Sequence, residues 1–103
     1  MKIKKVTCHW LSAPVERPFT SSRGWLYTTR NTCLVEIETD DGIVGWGECY
    51  GPSAVARAFI DTQLAPQIIG RDPFDVEVIW EHLYNRIKDY GQTGMAIAAI
   101  SGI

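Results

Sequence analysis

Residues 32–52, TCLVEIETDDGIVGWGECYGP, decide the fold, because they have the pattern of a β-hairpin that ends in a glycine-rich aromatic loop. Cys33, Val35 and Ile37 alternate with acidic residues such as Glu36, as expected for a strand with one buried face. The Asp-Asp-Gly that follows supplies the tight turn, since glycine readily adopts positive φ. This pattern predicts two strands, at about 32–39 and 43–49, and a loop presented for contact at their open end.

The return strand alternates large residues with glycine. Val44 and Trp46 lie two residues apart, and Gly45 and Gly47 leave the other face without side chains. Glycine weakens a strand interior, so its presence indicates that another backbone or a ligand approaches closely. A simple bulge or a close helix contact is the alternative interpretation.

A first strand is expected at about 2–11, where Val6, Cys8 and Trp10 alternate with polar residues. From Ser12 to Asn31 the periodicity is lost and prolines, serines and a glycine collect, so the sequence predicts a long structureless connection. Such loops are uncommon in compact domains and often cover ligands. The aromatic and arginine side chains of this segment fit a lid over a ligand or an Ω-loop packed on itself.

Helical periodicity follows the hairpin. Helices are predicted at about 53–65, 73–88 and 94–103, with Pro66 expected to end or break the first and Asp72 to cap the second. In the second helix, apolar residues recur at spacings of three and four, and Trp80 is expected in the core. Together these elements predict an α+β fold, a three-stranded antiparallel meander followed by a bundle of about three helices.

The last predicted helix is apolar on every side, from Met95 to Ile103. A helix with this pattern is built to be buried all round. The chain is therefore expected to end inside a helix that packs on something absent, with the sheet or a second copy of the chain as the alternatives. We expect a homo-oligomer.

Composition limits the class of protein. The 103 residues are enough for one domain, 1–103, and the net charge of -2 offers no basic surface for nucleic acid. Three cysteines without Cys-x-x-Cys spacing indicate neither a disulfide framework nor a zinc site. No signal peptide or membrane-spanning stretch is present, so no membrane partner is expected and we expect a cytoplasmic location.

The whole chain resembles the N-terminal capping domain of the mandelate racemase/muconate lactonizing enzyme group of the enolase superfamily. The resemblance rests on an ordered set of segments: Leu34-Val35-Glu36-Ile37, Asp41-Gly42, Gly45-Trp46-Gly47-Glu48, Leu64-Ala65-Pro66, Ile69-Gly70-Arg71-Asp72-Pro73 and Ala96 to Ile103. Members similar to this chain continue into a (β/α) barrel, which alone needs about 250 residues and is absent from this chain.

The resemblance implies that the barrel and the cap have different roles. In the family, the barrel supplies the carboxylates that bind Mg²⁺ and the Lys or His bases that take a proton from the carbon next to a carboxylate. No catalytic residue or metal ligand is therefore expected in this chain. The cap is expected to supply a lid that excludes water and selects a small carboxylate substrate. The candidate lid residues are Ser21, Ser22, Arg23, Trp25 and Tyr50.

The polarity of these lid residues predicts that the parent enzyme is an acid-sugar dehydratase. A guanidinium suits a carboxylate or a hydroxyl-rich substrate, and an indole adds an apolar wall with one donor. Two alternatives stay open: a racemase or cycloisomerase of the same family, or an isolated capping fragment without activity. The 103 residues alone are expected to be inactive.

Overall fold

A computed structural model describes all 103 residues, and helices pack on one face of a three-stranded antiparallel sheet. The strands are β1 (Ile3–Ser21), β2 (Trp25–Thr39) and β3 (Val44–Cys49), in the spatial order β1-β2-β3. The helices are α1 (Ser53–Phe59), α2 (Ala65–Ile68), α3 (Val76–Arg86) and α4 (Gly94–Gly102), with a π turn at Ile60–Leu64 and a 3-10 turn at Lys88–Tyr90. This confirms the predicted α+β meander followed by helices.

The prediction of a structureless connection from Ser12 to Asn31 is wrong. β1 and β2 form one long hairpin whose pairing continues to Ser21 and Trp25. Prolines are tolerated here because β1 is an edge strand, where a missing N–H need not break the ladder. The ladder shifts register between Pro14 and Phe19. The predicted bounds of the first two strands, 2–11 and 32–39, are therefore too short.

Pro66 was expected to end or break the first helix, and the regular α-helix is interrupted just before it, but the rod does not end there. The chain passes through the π turn, in which the Ala65 N–H donates to the Ile60 carbonyl, and continues as α2 to Ile68. The wider turn comes directly before the proline, whose missing N–H and ring would disrupt a regular α-helical ladder. α1, the π turn and α2 thus form one rod that extends beyond the predicted 53–65.

Asp72 does not cap the second helix. Its Oδ1 accepts a hydrogen bond from the Phe74 N–H at 2.9 Å, and its carbonyl accepts one from the Asp75 N–H at 3.1 Å. These bonds close a separate turn before the helix. α3 therefore begins at Val76 and ends at Arg86, inside the predicted 73–88.

The core lies between the sheet and the helices. The largest fully buried side chains are Val35, Cys33, Cys49, Ile60, Leu64, Ile68, Leu83 and Ile87. Trp80 was predicted to join them, but it is 45% exposed and stacks on Tyr84 with ring centroids 4.9 Å apart. No helix in the chain combines the length and the apolar character needed to cross a membrane.

β3 and α4 meet backbone against backbone. A Cβ atom on Gly47 would overlap the Gly102 carbonyl oxygen, and a Cβ on Gly102 would overlap the Cys49 Sγ. The close approach predicted for the strand glycines is thus found at Gly47, where the partner is a helix. At Gly45 the space is open. The apolar last helix docks on the sheet of its own chain, which was one of the alternatives for it.

Candidate functional site

The tip of the long hairpin is a tight turn from Ser22 to Gly24. Ser22 and Arg23 are the chain's only non-glycine residues with positive φ, at 32° and 52°, and Gly24 follows at 84°. The Trp25 N–H donates to the Ser22 carbonyl at 3.3 Å and closes the turn. Left-handed backbone at two consecutive non-glycine residues is unusual, and such conformations are often found at functional sites.

Behind the tip, aromatic rings and one cation hold the two strands together. Phe19 and Tyr27 are paired across the strands, and their rings stack with centroids 5.1 Å apart. The Arg30 guanidinium carbon lies 5.8 Å from the centroid of the Phe19 ring, over its face. A cation over an aromatic face is attracted by the negative potential of the ring. This stack orders side chains in a part of the hairpin that no helix covers.

The loop after β3 presents Tyr50. Cys49, the last residue of the strand, is buried, whereas the next residue, Tyr50, is 87% exposed. Gly51 then has φ 104°, a conformation that favours glycine, and a Cβ atom there would overlap the Met95 side chain of α4. The turn therefore anchors the loop on the helices while the phenol ring points into solvent.

The outer part of β2 and the Tyr50 loop enclose a cleft of about 540 Å³. Such a volume suits a small-molecule ligand. Its wall combines three aromatic rings with hydroxyl, amide, guanidinium and carboxylate groups. The lining residues are Trp25, Leu26, Tyr27, Thr28, Thr29, Arg30, Asn31, Glu48, Cys49, Tyr50, Gly51 and Pro52.

The structure brings some of the predicted lid residues together. Trp25 and Tyr50 line the same cleft, although they are 25 positions apart in the sequence. Ser21, Ser22 and Arg23 lie at the exposed hairpin tip and do not line the cleft. Their contact with a substrate stays a prediction.

Sequence reasoning did not select the cation and the carboxylate that do line the cleft. Arg30 and Glu48 are the two charged residues there, and Glu48 accepts a hydrogen bond from the Thr32 hydroxyl at 2.5 Å. The Ser-Arg-Gly turn is the sequence signal that could have indicated Arg30. If Arg23 is placed at the tip of a hairpin, the two strands pair on from the turn and include Arg30 in the second strand.

Cys49 lines the cleft, and its thiol is buried in the core. Burial, with the neighbouring Cys33 as a second cause, raises the pKa of Cys49 from 9.0 to about 11. The same causes raise the pKa of Cys8 to about 12. Since the thiolate is the reactive form of cysteine, these shifts disfavour reaction at Cys8 and Cys49. All three cysteines are free and buried, and they pack as small apolar residues.

The chain's own side chains do not fit a metal ion. No group of three or more His, Cys, Asp or Glu residues is arranged to hold one. Magnesium prefers a near-octahedral set of oxygen ligands, including carboxylates, and the cleft offers the single carboxylate of Glu48, already bonded to Thr32.

A second cleft, of about 370 Å³, lies between the sheet and the helices. It runs between the open edge of β3 and helices α3 and α4, and its lining is largely apolar. Ile37, Ile79, Trp80 and Ile103 are among the lining residues. Its apolar lining differs from that of the first cleft, the cleft under Tyr50, whose lining combines polar groups with aromatic rings.

Comparison with known proteins gives relatives whose similarity covers most or all of the chain. The chain is 44% identical over 103 residues to the D-galactarolactone cycloisomerase of Agrobacterium fabrum, and this covers 100% of the chain but 27% of that protein. It is 34% identical to the arabinonate dehydratase of Saccharolobus solfataricus, over 85% of the chain and 24% of that protein. The chain thus spans about a quarter of the length of these relatives.

A solved structure and a family profile agree with these relatives. The crystal structure of a racemase from Streptomyces coelicolor A3(2) with bound magnesium superposes with a TM-score of 0.90 at 27% identity, covering 97% of this chain and 29% of that one. The profile of the mandelate racemase/muconate lactonizing enzyme N-terminal domain matches residues 4–102. The chain therefore belongs to the mandelate racemase/muconate lactonizing enzyme family of the enolase superfamily, as its N-terminal capping domain.

Proposed function

We propose that this chain is the substrate lid of an enzyme that acts on an acid sugar or its lactone. The observation that supports this is the lining of the cleft under Tyr50. Hydroxyl and amide groups from Thr28, Thr29 and Asn31 line the cleft together with the rings of Trp25 and Tyr50. A polyhydroxylated acid offers hydroxyls to such donors and acceptors and lays its C–H faces against aromatic rings.

The lid's contribution to the reaction is binding and exclusion of water. Tyr50 projects from a turn anchored against α4, and Trp25 lies at the start of β2, so the two rings approach the cleft from separate elements. Closure of such elements over a substrate strengthens the electrostatic interactions inside the site. The proton transfer itself belongs, in this proposal, to the barrel that the rest of the enzyme supplies.

Two reactions fit this lid. Dehydration is the reaction predicted from the sequence, and it agrees with the relative that is an arabinonate dehydratase. Cycloisomerisation is favoured by a specific observation, the 44% identity over the whole chain to a D-galactarolactone cycloisomerase. Both begin from an acid sugar or its lactone, so the capping domain supports the substrate class more strongly than the reaction.

The test is a substrate screen of the full-length enzyme with Mg²⁺, against aldonates, aldarates and their lactones. A dehydratase gives a product lighter by one water, and a cycloisomerase gives a product of unchanged mass, so mass spectrometry separates the two. We expect turnover within this set. If every acid sugar fails while an amino acid derivative or mandelate is turned over, the proposed substrate class is wrong.

We further propose that the 103 residues alone catalyse nothing. The cleft holds one carboxylate, Glu48, and no histidine or lysine to take a proton from carbon. The purified chain, incubated with Mg²⁺ and the substrates that the full-length enzyme converts, is expected to leave them unchanged. Measurable Mg²⁺-dependent product would show that the cap carries chemistry of its own.

A further inference from the structure

Arg30 is the one cation in the cleft under Tyr50. It takes part in none of the chain's ion pairs, which join Lys4 to Glu38, His9 to Glu36 and Arg57 to Asp61. Its guanidinium lies over the face of the Phe19 ring. This contact leaves the guanidinium N–H groups free to donate hydrogen bonds to a ligand. The cleft therefore contains an oriented guanidinium without an anionic partner.

The other charged group in the cleft, Glu48, is already hydrogen-bonded. Its carboxylate accepts from the Thr32 hydroxyl at 2.5 Å and is not paired with Arg30. A sugar hydroxyl can donate to the free lone pairs of Glu48, whereas an anionic group of a ligand would be repelled by Glu48 and attracted by Arg30. The two side chains thus give the cleft a polarity that distinguishes a ligand's anionic end from its hydroxyl-bearing part.

We infer that Arg30 selects substrates that carry a second carboxylate, at the end away from the reacting carbon. This inference rests on the proposed function, in which the barrel handles the reacting end and the cap handles the other. A guanidinium binds a carboxylate through two parallel hydrogen bonds, and such a pair strongly disfavours a neutral group in the same place. An aldarate is then preferred to the matching aldonate.

The test measures kcat/KM of the full-length enzyme for an aldarate and for the corresponding aldonate as open-chain acids, which keep the carboxylate at the reacting end and differ only in a terminal carboxylate or hydroxymethyl group. The wild-type enzyme is expected to prefer the aldarate. In Arg30→Gln the preference is expected to fall roughly 10- to 100-fold, mainly through a higher KM for the aldarate. Arg30→Lys keeps the charge without the planar fork and is expected to recover part of the preference.

Arg17→Gln is the matched control, since it removes the same group from the outer part of β1, outside the cleft. It is expected to leave the preference unchanged. If Arg30→Gln lowers kcat/KM equally for both acids, Arg30 only supports the hairpin through Phe19 and the inference is wrong. It is also wrong if Arg17→Gln changes the preference as much. If the wild-type enzyme converts no acid sugar, both the proposed function and this inference are wrong. If Arg30→Gln keeps the preference, only this inference is wrong.

Discussion

The two halves of the β1–β2 hairpin share one ladder but lie in different surroundings. The base carries Cys8, Cys33 and Val35, all buried beneath the helices. The outer half, from Ser12 to Asn31, has no buried residue and is covered by no helix, and its order comes from strand pairing and from the stack on Phe19. The hairpin therefore combines a packed base with an exposed outer half, Ser12 to Asn31, which we call the arm.

The difference explains where this domain can hold recognition residues. In the base, a side chain is constrained by the volume of its neighbours, so its replacement costs stability. In the outer half, a side chain is constrained mainly by what it touches outside the chain. Trp25 and Arg30 lie there. Side chains in the arm can thus be replaced without loss of the fold, and this is open to direct tests.

The largest expected effect contrasts two leucines. Leu64 is fully buried in the π turn beneath the sheet, whereas Leu26 in the outer half is 57% exposed. Leu64→Ala is expected to lower the free energy of unfolding by about 3 kcal/mol, because it removes buried methyl groups and leaves a cavity. Leu26→Ala is expected to change it by less than about 0.5 kcal/mol. Urea denaturation followed by circular dichroism measures both, and equal losses would break the contrast between base and arm.

A second contrast uses two glycines of β3. Gly47→Ala places a methyl group against the Gly102 carbonyl, where only backbone can move, and is expected to cost about 2 kcal/mol. Gly45→Ala, two residues earlier on the same face, has nothing within 4 Å of the added atom and is the matched control. Thermal unfolding of the two variants gives the comparison. A loss at Gly45 as large as at Gly47 would show that glycine is needed for strand geometry and not for the approach of α4.

Much of the base was predictable from sequence because its signals are local. The alternation from Cys33 to Ile37 and the Asp-Asp-Gly turn report one strand pair directly, and Gly45 and Gly47 indicated a close approach. The helix bounds failed where local rules met tertiary context. Pro66 reads as a helix end, yet a π turn accommodates it, and Asp72 reads as a cap, yet it closes a preceding turn.

The arm was not predictable in the same way. Its prolines read as loop signals, and only the position of β1 at the sheet edge, a tertiary fact, makes them compatible with a strand. The candidate site inherited this error. Reading Ser12–Asn31 as a loop led to the selection of Arg23 and not of Arg30, whereas the hairpin places Arg23 at the tip and Arg30 in the cleft. Trp25 and Tyr50 were selected for their chemistry, which does not depend on the backbone's path.

A third test concerns the only aromatic packing in the arm. Phe19 and Tyr27 stack across the strands, and an aromatic pair of this kind contributes about 0.5–1 kcal/mol beyond the area it buries. A double-mutant cycle with Phe19→Leu and Tyr27→Leu, measured by urea denaturation, is expected to give a coupling energy in that range. The neighbouring cross-strand pair Thr20 and Leu26 is the control, with a smaller coupling. No coupling between the rings would mean that strand pairing alone orders the arm.

The smallest effect is a pH dependence at the base, where the Lys2 N–H donates to the Asp40 Oδ1 at 2.8 Å. This hydrogen bond, with the nearby N-terminal charge, holds the pKa of Asp40 below its usual 3.8. A lowered pKa in the folded state stabilises the fold above pH 3.8, and the contribution is lost as the pH falls through the lower folded value. Asp40→Asn is therefore expected to lower the urea midpoint slightly at neutral pH and to match the wild type in strong acid.

Glu16→Gln, in the arm, removes a carboxylate that has no hydrogen bond or ion pair in the structure and is expected to leave the midpoint unchanged at both pH values. If the Asp40→Asn deficit persists in acid, the Asp40 side chain stabilises the start of β1 through its shape and not through its charge.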